Sequence, residues 1–354
     1  MLDQTQIAEL NKIAKQMVAT GKGILAADES MNTVGKRFSS INLENTEDNR
    51  CAFREMLLTA PNEGDYVSGV ILYDETIRQK TGSGKTFVEV LQSEGILPGI
   101  KVDQGLMPMP GHPDEQLTKG LDGLADRLKE YVALGAKFCK WRSVITIGAG
   151  MPSDDNIRQN AKDLAQYALV CQENGLVPMV EPEVLLDGEH NMAQAKVATT
   201  KILIALFEEI KNAGVAPEGA ILKSSMVLPG KKSGSKATPQ EVAKETVEVF
   251  NKVLPKNLAG IVFLSGGQGD IEATENLNAI NSRGGQPWPL TFSYARALQD
   301  AATKTWKGNK ENLQVAQNVF LHRVKMNSLA SQGKYSSDLE AGFEASDTSS
   351  VSQN

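Results

Sequence analysis

Histidine and cysteine are scarce in this 354-residue chain, with three of each. The histidines, His112, His190 and His322, stand at no metal-ligand spacing, and no cysteine is near them in sequence. A zinc centre would have to be assembled from scattered parts, so no metal and no other cofactor is expected. Each histidine is expected on the surface or in a loop. Cys51, Cys139 and Cys171 are odd in number and far apart, the pattern of reduced thiols in a cytoplasmic protein. No apolar run is long enough to span a bilayer. The opening Met1-Leu2-Asp3-Gln4 lacks the charged-then-apolar order of a secretory signal. A net charge of −6 argues against nucleic acid or anionic membrane as a partner.

What the chain does have is alternation. Short apolar runs at 23–28, 67–73, 99–103, 138–144, 176–183, 220–226, 260–264 and 290–294 read as eight strands. Longer amphipathic segments at 114–134, 153–174, 191–213 and 238–254 read as helices between them. Ser153-Asp154-Asp155 and Thr238-Pro239-Gln240-Glu241 carry helix-start chemistry. Gly135, Gly175 and Gly214 stand where helices stop. Strand-then-helix repetition predicts parallel strands with helical crossovers. Eight units favour a single (β/α)₈ TIM barrel over residues 1–335, although the pattern alone also permits a doubly wound sheet. An additional N-terminal helix at 4–19 and a last helix at 310–330 flank it. Residues 336–354, rich in Ser, Asp and Glu, read as a flexible tail.

The charges fall at the strand ends. Lys140 and Arg142 in Phe138-Cys139-Lys140-Trp141-Arg142 are two residues apart, as are Glu181 and Glu183 in Val180-Glu181-Pro182-Glu183 and Lys101 and Asp103. On a strand that spacing puts both side chains on one face. Asp28 and Lys223 each close an apolar run. Strand C-terminal ends form the active-site face of an α/β barrel, so these groups are expected to converge in one cavity. Crowding a lysine with other cations disfavours its charged form. A neutral amine attacks a ketone to give an iminium, which makes Lys223 the candidate nucleophile. Glu183 or Glu181 would move the protons as water leaves, and Asp28 would be the base that starts carbon–carbon cleavage.

Ser265-Gly266-Gly267-Gln268-Gly269, after the seventh strand, reads as a phosphate cradle, with Arg296 following the eighth. By contrast, Gly82-Ser83-Gly84-Lys85-Thr86 only imitates the end of a nucleotide-binding loop. It lacks the upstream glycine, which is Gln79 here, and a preceding strand, so it reads as a surface turn.

Several segments together are similar to the class I fructose-bisphosphate aldolases. They are Gly21-Lys22-Gly23-Ile24-Leu25-Ala26-Ala27-Asp28-Glu29-Ser30, Glu44-Asn45-Thr46-Glu47-Asp48-Asn49-Arg50, Lys140-Trp141-Arg142 and Val180-Glu181-Pro182-Glu183. Leu264-Ser265-Gly266-Gly267-Gln268, Leu290-Thr291-Phe292-Ser293-Tyr294 and Asn327-Ser328-Leu329-Ala330 through Gly333-Lys334-Tyr335 complete the set. The resemblance covers about residues 3–340. It implies a metal-free lyase acting on a sugar bisphosphate, a homo-oligomer (usually a tetramer, otherwise a dimer), and a cytoplasmic enzyme, or a plastid one if a transit peptide has been removed. It implies Lys223 as the Schiff-base lysine and Glu183 as the acid/base of imine formation, with Glu181 beside it. It implies Asp28 for cleavage, Lys140 for electrostatic help and Arg142 for the polar network. One phosphate would sit on Ser265, Gly266, Gly267, Ala295 and Arg296. The other would sit near Ser30, Thr33, Lys101 and Arg37.

The chain departs from the family pattern in three places. Lys223-Ser224-Ser225-Met226 replaces the usual Lys-Pro-Asn-Met, Ala295 stands where glycine is frequent, and the last residues, Val351-Ser352-Gln353-Asn354, lack the terminal tyrosine of animal members. The same residues would serve sedoheptulose 1,7-bisphosphate or fructose 1-phosphate, and a non-catalytic scaffold is the alternative of another class.

Overall fold

The computed structural model describes residues 2–341 and 343. Eight parallel strands close a barrel in the order β1-β10-β9-β8-β7-β6-β3-β2. They are β1 (Gly23–Ala27), β2 (Val67–Leu72), β3 (Leu97–Lys101), β6 (Phe138–Ile145), β7 (Val177–Val184), β8 (Ile221–Ser224), β9 (Gly260–Phe263) and β10 (Leu290–Tyr294). This is the TIM barrel, and the doubly wound alternative falls because β1 pairs with both β2 and β10. All eight expected strands are present, with ends shifted by at most two residues.

The helices follow the strands in turn. α2 (Met31–Ser39) and α3 (Glu47–Leu58) come after β1, α4 (Asp74–Arg78) and α5 (Phe87–Ser93) after β2, and α6 (Leu124–Ala133) after β3. Then come α7 (Asp154–Glu173), α8 (Met192–Ala213), α9 (Pro239–Val253) and α10 (Asp270–Arg283) after β6 to β9, and α11 (Arg296–Trp306) and α12 (Leu313–Ala330) after β10. Helix starts match their local chemistry. The Ser153 side chain accepts from Asn156 N–H, and Thr238 forms a reciprocal box with Glu241 behind Pro239. Gly214 ends α8 at φ +75°, a left-handed cap that suits a residue without Cβ.

The segment 114–134, expected as one helix, is two things. β4 (Leu106–Met109) and β5 (His112–Thr118) form an antiparallel hairpin, and α6 begins only at Leu124. Pro113 cannot donate a helical hydrogen bond, and Gly111, Gly120 and Gly123 take positive φ, which breaks any continuous helix. α7 then anchors the hairpin, because Asn156 and Asn160 both donate to Gln116 O, at 3.1 and 3.2 Å. Of the histidines, one meets the expectation of a surface or loop place and one departs from it. His190 is in a loop but buried, and His322 is on α12.

The barrel interior is divided along its axis. Ile24, Ala26, Ile71, Phe138, Val177, Met179, Ile221 and Val262 fill the lower part. The first helix, α1 (Gln4–Met17), closes that end with Leu10, Ala14 and Met17. The Phe138 ring fits because Gly99 has no side chain; a Cβ there would overlap it. Outward-facing residues of the same strands, such as Cys139, Trp141 and Val180, join the larger core under the helices. A side-chain period of two thus carries the interior from apolar at the strand starts to charged at the ends of β1, β3, β6, β7 and β8.

Candidate active site

Strand alternation puts Phe138, Lys140 and Arg142 of β6 and Val177, Met179, Glu181 and Glu183 of β7 on the barrel face. Register sets Lys101 beside Lys140 and Arg142 beside Glu181. Lys223 lies near the end of β8, and Asp28 directly follows β1. The charged groups among them, Asp28, Lys101, Lys140, Arg142, Glu181, Glu183 and Lys223, open on one cavity of about 950 Å³ at the C-terminal mouth.

The charges form a connected row. Lys223 Nζ is 3.3 Å from Glu181 Oε1, and Glu181 Oε2 is 3.3 Å from Lys140 Nζ. Lys140 Nζ continues to Asp28 Oδ2 at 2.6 Å. Beside the row, Arg142 Nε donates to Glu183 Oε2. Lys223, Lys140, Glu181, Glu183 and Asp28 are all buried. Sequence suggested a nucleophile crowded by cations, but the group in contact with Lys223 is a carboxylate.

Burial alone would raise the pKa of Asp28. Lys140 and Lys223 outweigh it and hold the carboxyl far below the usual carboxylate range. Burial likewise opposes the charge on Lys140. Asp28 and Glu181 override it and hold the ammonium well above the usual lysine value. Arg142 follows the same rule, desolvated but held charged by Glu183. At neutral pH the site therefore contains a fixed carboxylate–ammonium pair.

Ser30, Thr33, Arg37 and Lys101 line one side of the cavity, and Ser265, Gly266, Ala295 and Arg296 another. Gly267 is set back from the wall, next to Arg296. The two sides differ in charge balance. Arg37 Nη2 is paired with Glu29 at 2.7 Å, and Lys101 Nζ with Asp103 at 2.6 Å. Arg296 makes no ion pair among the described residues. Ala295 sits at φ −104°, so no left-handed strain attends the missing glycine. The Ser224 and Ser225 hydroxyls are used internally, accepted by Ser225 O and Val184 O.

Sequence reasoning missed two residues. The buried Ser293 Oγ, on the cavity wall, has no hydrogen-bond partner among the described residues. Its inward position on β10 was the available signal. Lys231 reaches Gly267 from the loop after β8. Only the basic, glycine-bounded run Gly230-Lys231-Lys232-Ser233-Gly234 hinted at it.

Residues 9–354 match the family model described as fructose-bisphosphate aldolase class-I. The chain belongs to this family. Its members are carbon–carbon lyases. A cytosolic fructose-bisphosphate aldolase of Arabidopsis thaliana is 51% identical over 341 residues, covering 96% of this chain and 87% of the relative. A Dictyostelium discoideum fructose-bisphosphate aldolase is 50% identical, covering 94% of each. Among solved structures, the Plasmodium falciparum fructose-bisphosphate aldolase, determined in complex with TRAP and a small-molecule inhibitor, matches with a TM-score of 0.93. It is 48% identical, and the match covers 95% of this chain and 97% of that one.

Proposed function

We propose that this aldolase-family chain reversibly cleaves fructose 1,6-bisphosphate to dihydroxyacetone phosphate and glyceraldehyde 3-phosphate through a Schiff base on Lys223. The observation that carries the reading is the buried row Lys223–Glu181–Lys140–Asp28 inside a cavity with phosphate-binding features on two sides. Glu181, at 3.3 Å, takes a proton from the Lys223 ammonium, and the freed amine adds to the C2 ketone. The nitrogen gives a second proton to Glu183, positioned by Arg142, which hands it to the C2 oxygen; the proton held by Glu181 follows, so the oxygen leaves as water and the iminium forms. Asp28, ionised at neutral pH, accepts the C4 hydroxyl proton. The C3–C4 bond then breaks, its electrons pass to the iminium, and the aldehyde fragment leaves. Lys140 holds Asp28 in place and offsets the charge developing at the oxygen.

One phosphate is assigned to Ser265, Gly266, Gly267, Ala295 and Arg296. The other is assigned to Ser30, Thr33, Lys101 and Arg37, where it must share cations already paired. The same reading includes a homo-oligomer, tetramer or dimer, and a cytoplasmic setting; a relative named cytosolic supports the setting.

Borohydride reduction in the presence of dihydroxyacetone phosphate should add that ketone's mass to the Lys223 peptide and inactivate the protein. Lys223→Met should abolish both, and chelator should change neither. Labelling at Lys140 or Lys101 instead would overturn the assignment.

A further inference from the structure

The loop after β8 carries Lys231 and Lys232, to which the mechanism above gives no task. Three backbone hydrogen bonds fix it to the segment after β7. Gly230 N–H donates to His190 O at 2.7 Å, Lys231 N–H to Leu186 O at 2.9 Å and Lys232 N–H to Gly188 O at 2.9 Å. The fit is close, since a Cβ on Gly230 would overlap the Gly188 carbonyl and lie 2.9 Å from Nδ1 of buried His190. The Lys231 backbone is thereby held, while its side chain is exposed.

That side chain extends to the turn after β9. A Cβ on Gly267 would overlap Lys231 Nζ and lie 3.1 Å from Arg296 Nη2. Two cations, one from the loop after β8 and one from the start of α11, therefore meet over one glycine. Neither side chain makes a hydrogen bond or ion pair among the described residues; Asp300, one turn along α11, senses the Arg296 charge without pairing with it. Like charges brought together repel unless an anion lies between them. The adjacent turn supplies backbone N–H groups at Gly266 (φ +60°) and Gly267 (φ +95°).

We propose that Lys231 is a second phosphate-binding cation, acting with Arg296 on the phosphate of the ketone half of the substrate. The inference rests on the Schiff-base reading. The ketone half is chosen by topology. β9 pairs directly with β8, setting Val262 beside Lys223, and Leu264 N–H donates to Ser224 O at 3.0 Å. The turn holding this pair of cations thus begins next to the strand carrying the nucleophile. The other phosphate-binding group follows β1 and β3, which do not border β8.

The test compares Lys231→Met with Lys231→Arg and with Lys232→Met, which removes the same charge from the same loop. Because Lys231 is exposed, the fold should survive. In Lys231→Met, KM for fructose 1,6-bisphosphate should rise about five- to tenfold, with kcat within about twofold. The rise should be equal for fructose 1-phosphate, which has only the ketone-side phosphate. It should weaken with added salt, approach Arg296→Ala in size, be largely reversed by arginine and be absent in Lys232→Met. A rise confined to the bisphosphate would reassign Lys231 to the other phosphate and overturn the proposal, as would an equal effect in Lys232→Met. Borohydride trapping on wild-type Lys223 is run in parallel. Without trapping, the Schiff-base reading itself fails. With trapping, an unchanged half-saturating concentration of dihydroxyacetone phosphate in Lys231→Met sinks only the role given to Lys231.

Discussion

Lys140 is the residue on which the buried charges balance, since it touches both Asp28 and Glu181. Lys140→Met keeps most of the side chain's length but leaves two buried carboxylates without their shared cation. Breaking a buried pair by removing one partner costs about 3–5 kcal/mol, so the urea midpoint should fall accordingly and cleavage should be lost. The pH dependence gives a second readout. Asp28 is depressed in the folded state, so its stabilisation is full above its unfolded value of about 3.9 and is lost as pH falls through the lower folded one. Lys140 is raised, so its share is full below about 10.4 and is lost as pH rises through the folded value. Wild type should therefore show a plateau between those limits, and Lys140→Met should soften the acid limb. An unchanged midpoint and acid limb would mean that the pair is not energetically coupled. Most of this cluster was legible in sequence, because charges two apart on a strand must share a face. The order of contacts was not. That Glu181, rather than Glu183, touches Lys223 depends on the shear between β7 and β8, which spacing within one strand does not encode.

At the scale of elements, the turns between strands were the hardest to read. The part of β5 from 114 onward reads as helix because its apolar residues also suit a helical period, and only its pairing with β4 reveals the strand. Another turn sets a testable constraint. Glu63 opens a short 3₁₀ turn ahead of β2, fully buried, and neither carboxyl oxygen has a hydrogen-bond partner among the described residues. Burial, with Glu94 adding repulsion, raises its pKa well above the usual carboxylate value. The folded state keeps the proton after the unfolded chain has released it. Stability is therefore full below the unfolded value of about 4.3 and declines as pH rises toward the raised folded one. Glu63→Gln cannot titrate. Its Tm relative to wild type should climb steadily from pH 5 to pH 8 in calorimetry. Parallel Tm curves would show that Glu63 is ionised in the native protein.

At the scale of the whole molecule, the strand count and the apolar-to-charged gradient foretold a barrel with its site at one mouth. The plug formed by α1 at the other end was not foretold, since nothing in an isolated amphipathic helix says what it covers. The region read as a tail begins with a short 3₁₀ turn, Ser337–Glu340, and Glu340 ties it to the barrel's last helix. Its carboxylate accepts from Arg323 Nη1 at 2.7 Å and from the Tyr335 hydroxyl at 3.0 Å, and contacts His322 Nε2 at 2.8 Å. Arg323 is buried. Phe343 stacks on His322 with ring centroids 4.0 Å apart. Residues 346–354 lie outside the described residues. Removing them spares every one of these contacts, so Tm should hold and fructose 1,6-bisphosphate cleavage should stay within about threefold, roughly 0.65 kcal/mol in barrier. Glu340→Gln, in the full-length chain, should instead lose about 1–3 kcal/mol in denaturant unfolding, because the buried guanidinium loses its counter-charge. If the short truncation cuts kcat a hundredfold while the enamine accumulates, a group beyond residue 345 delivers the proton and the anchor at Glu340 exists to aim it. If both variants match wild type, Glu340 is a surface contact with no consequence for stability.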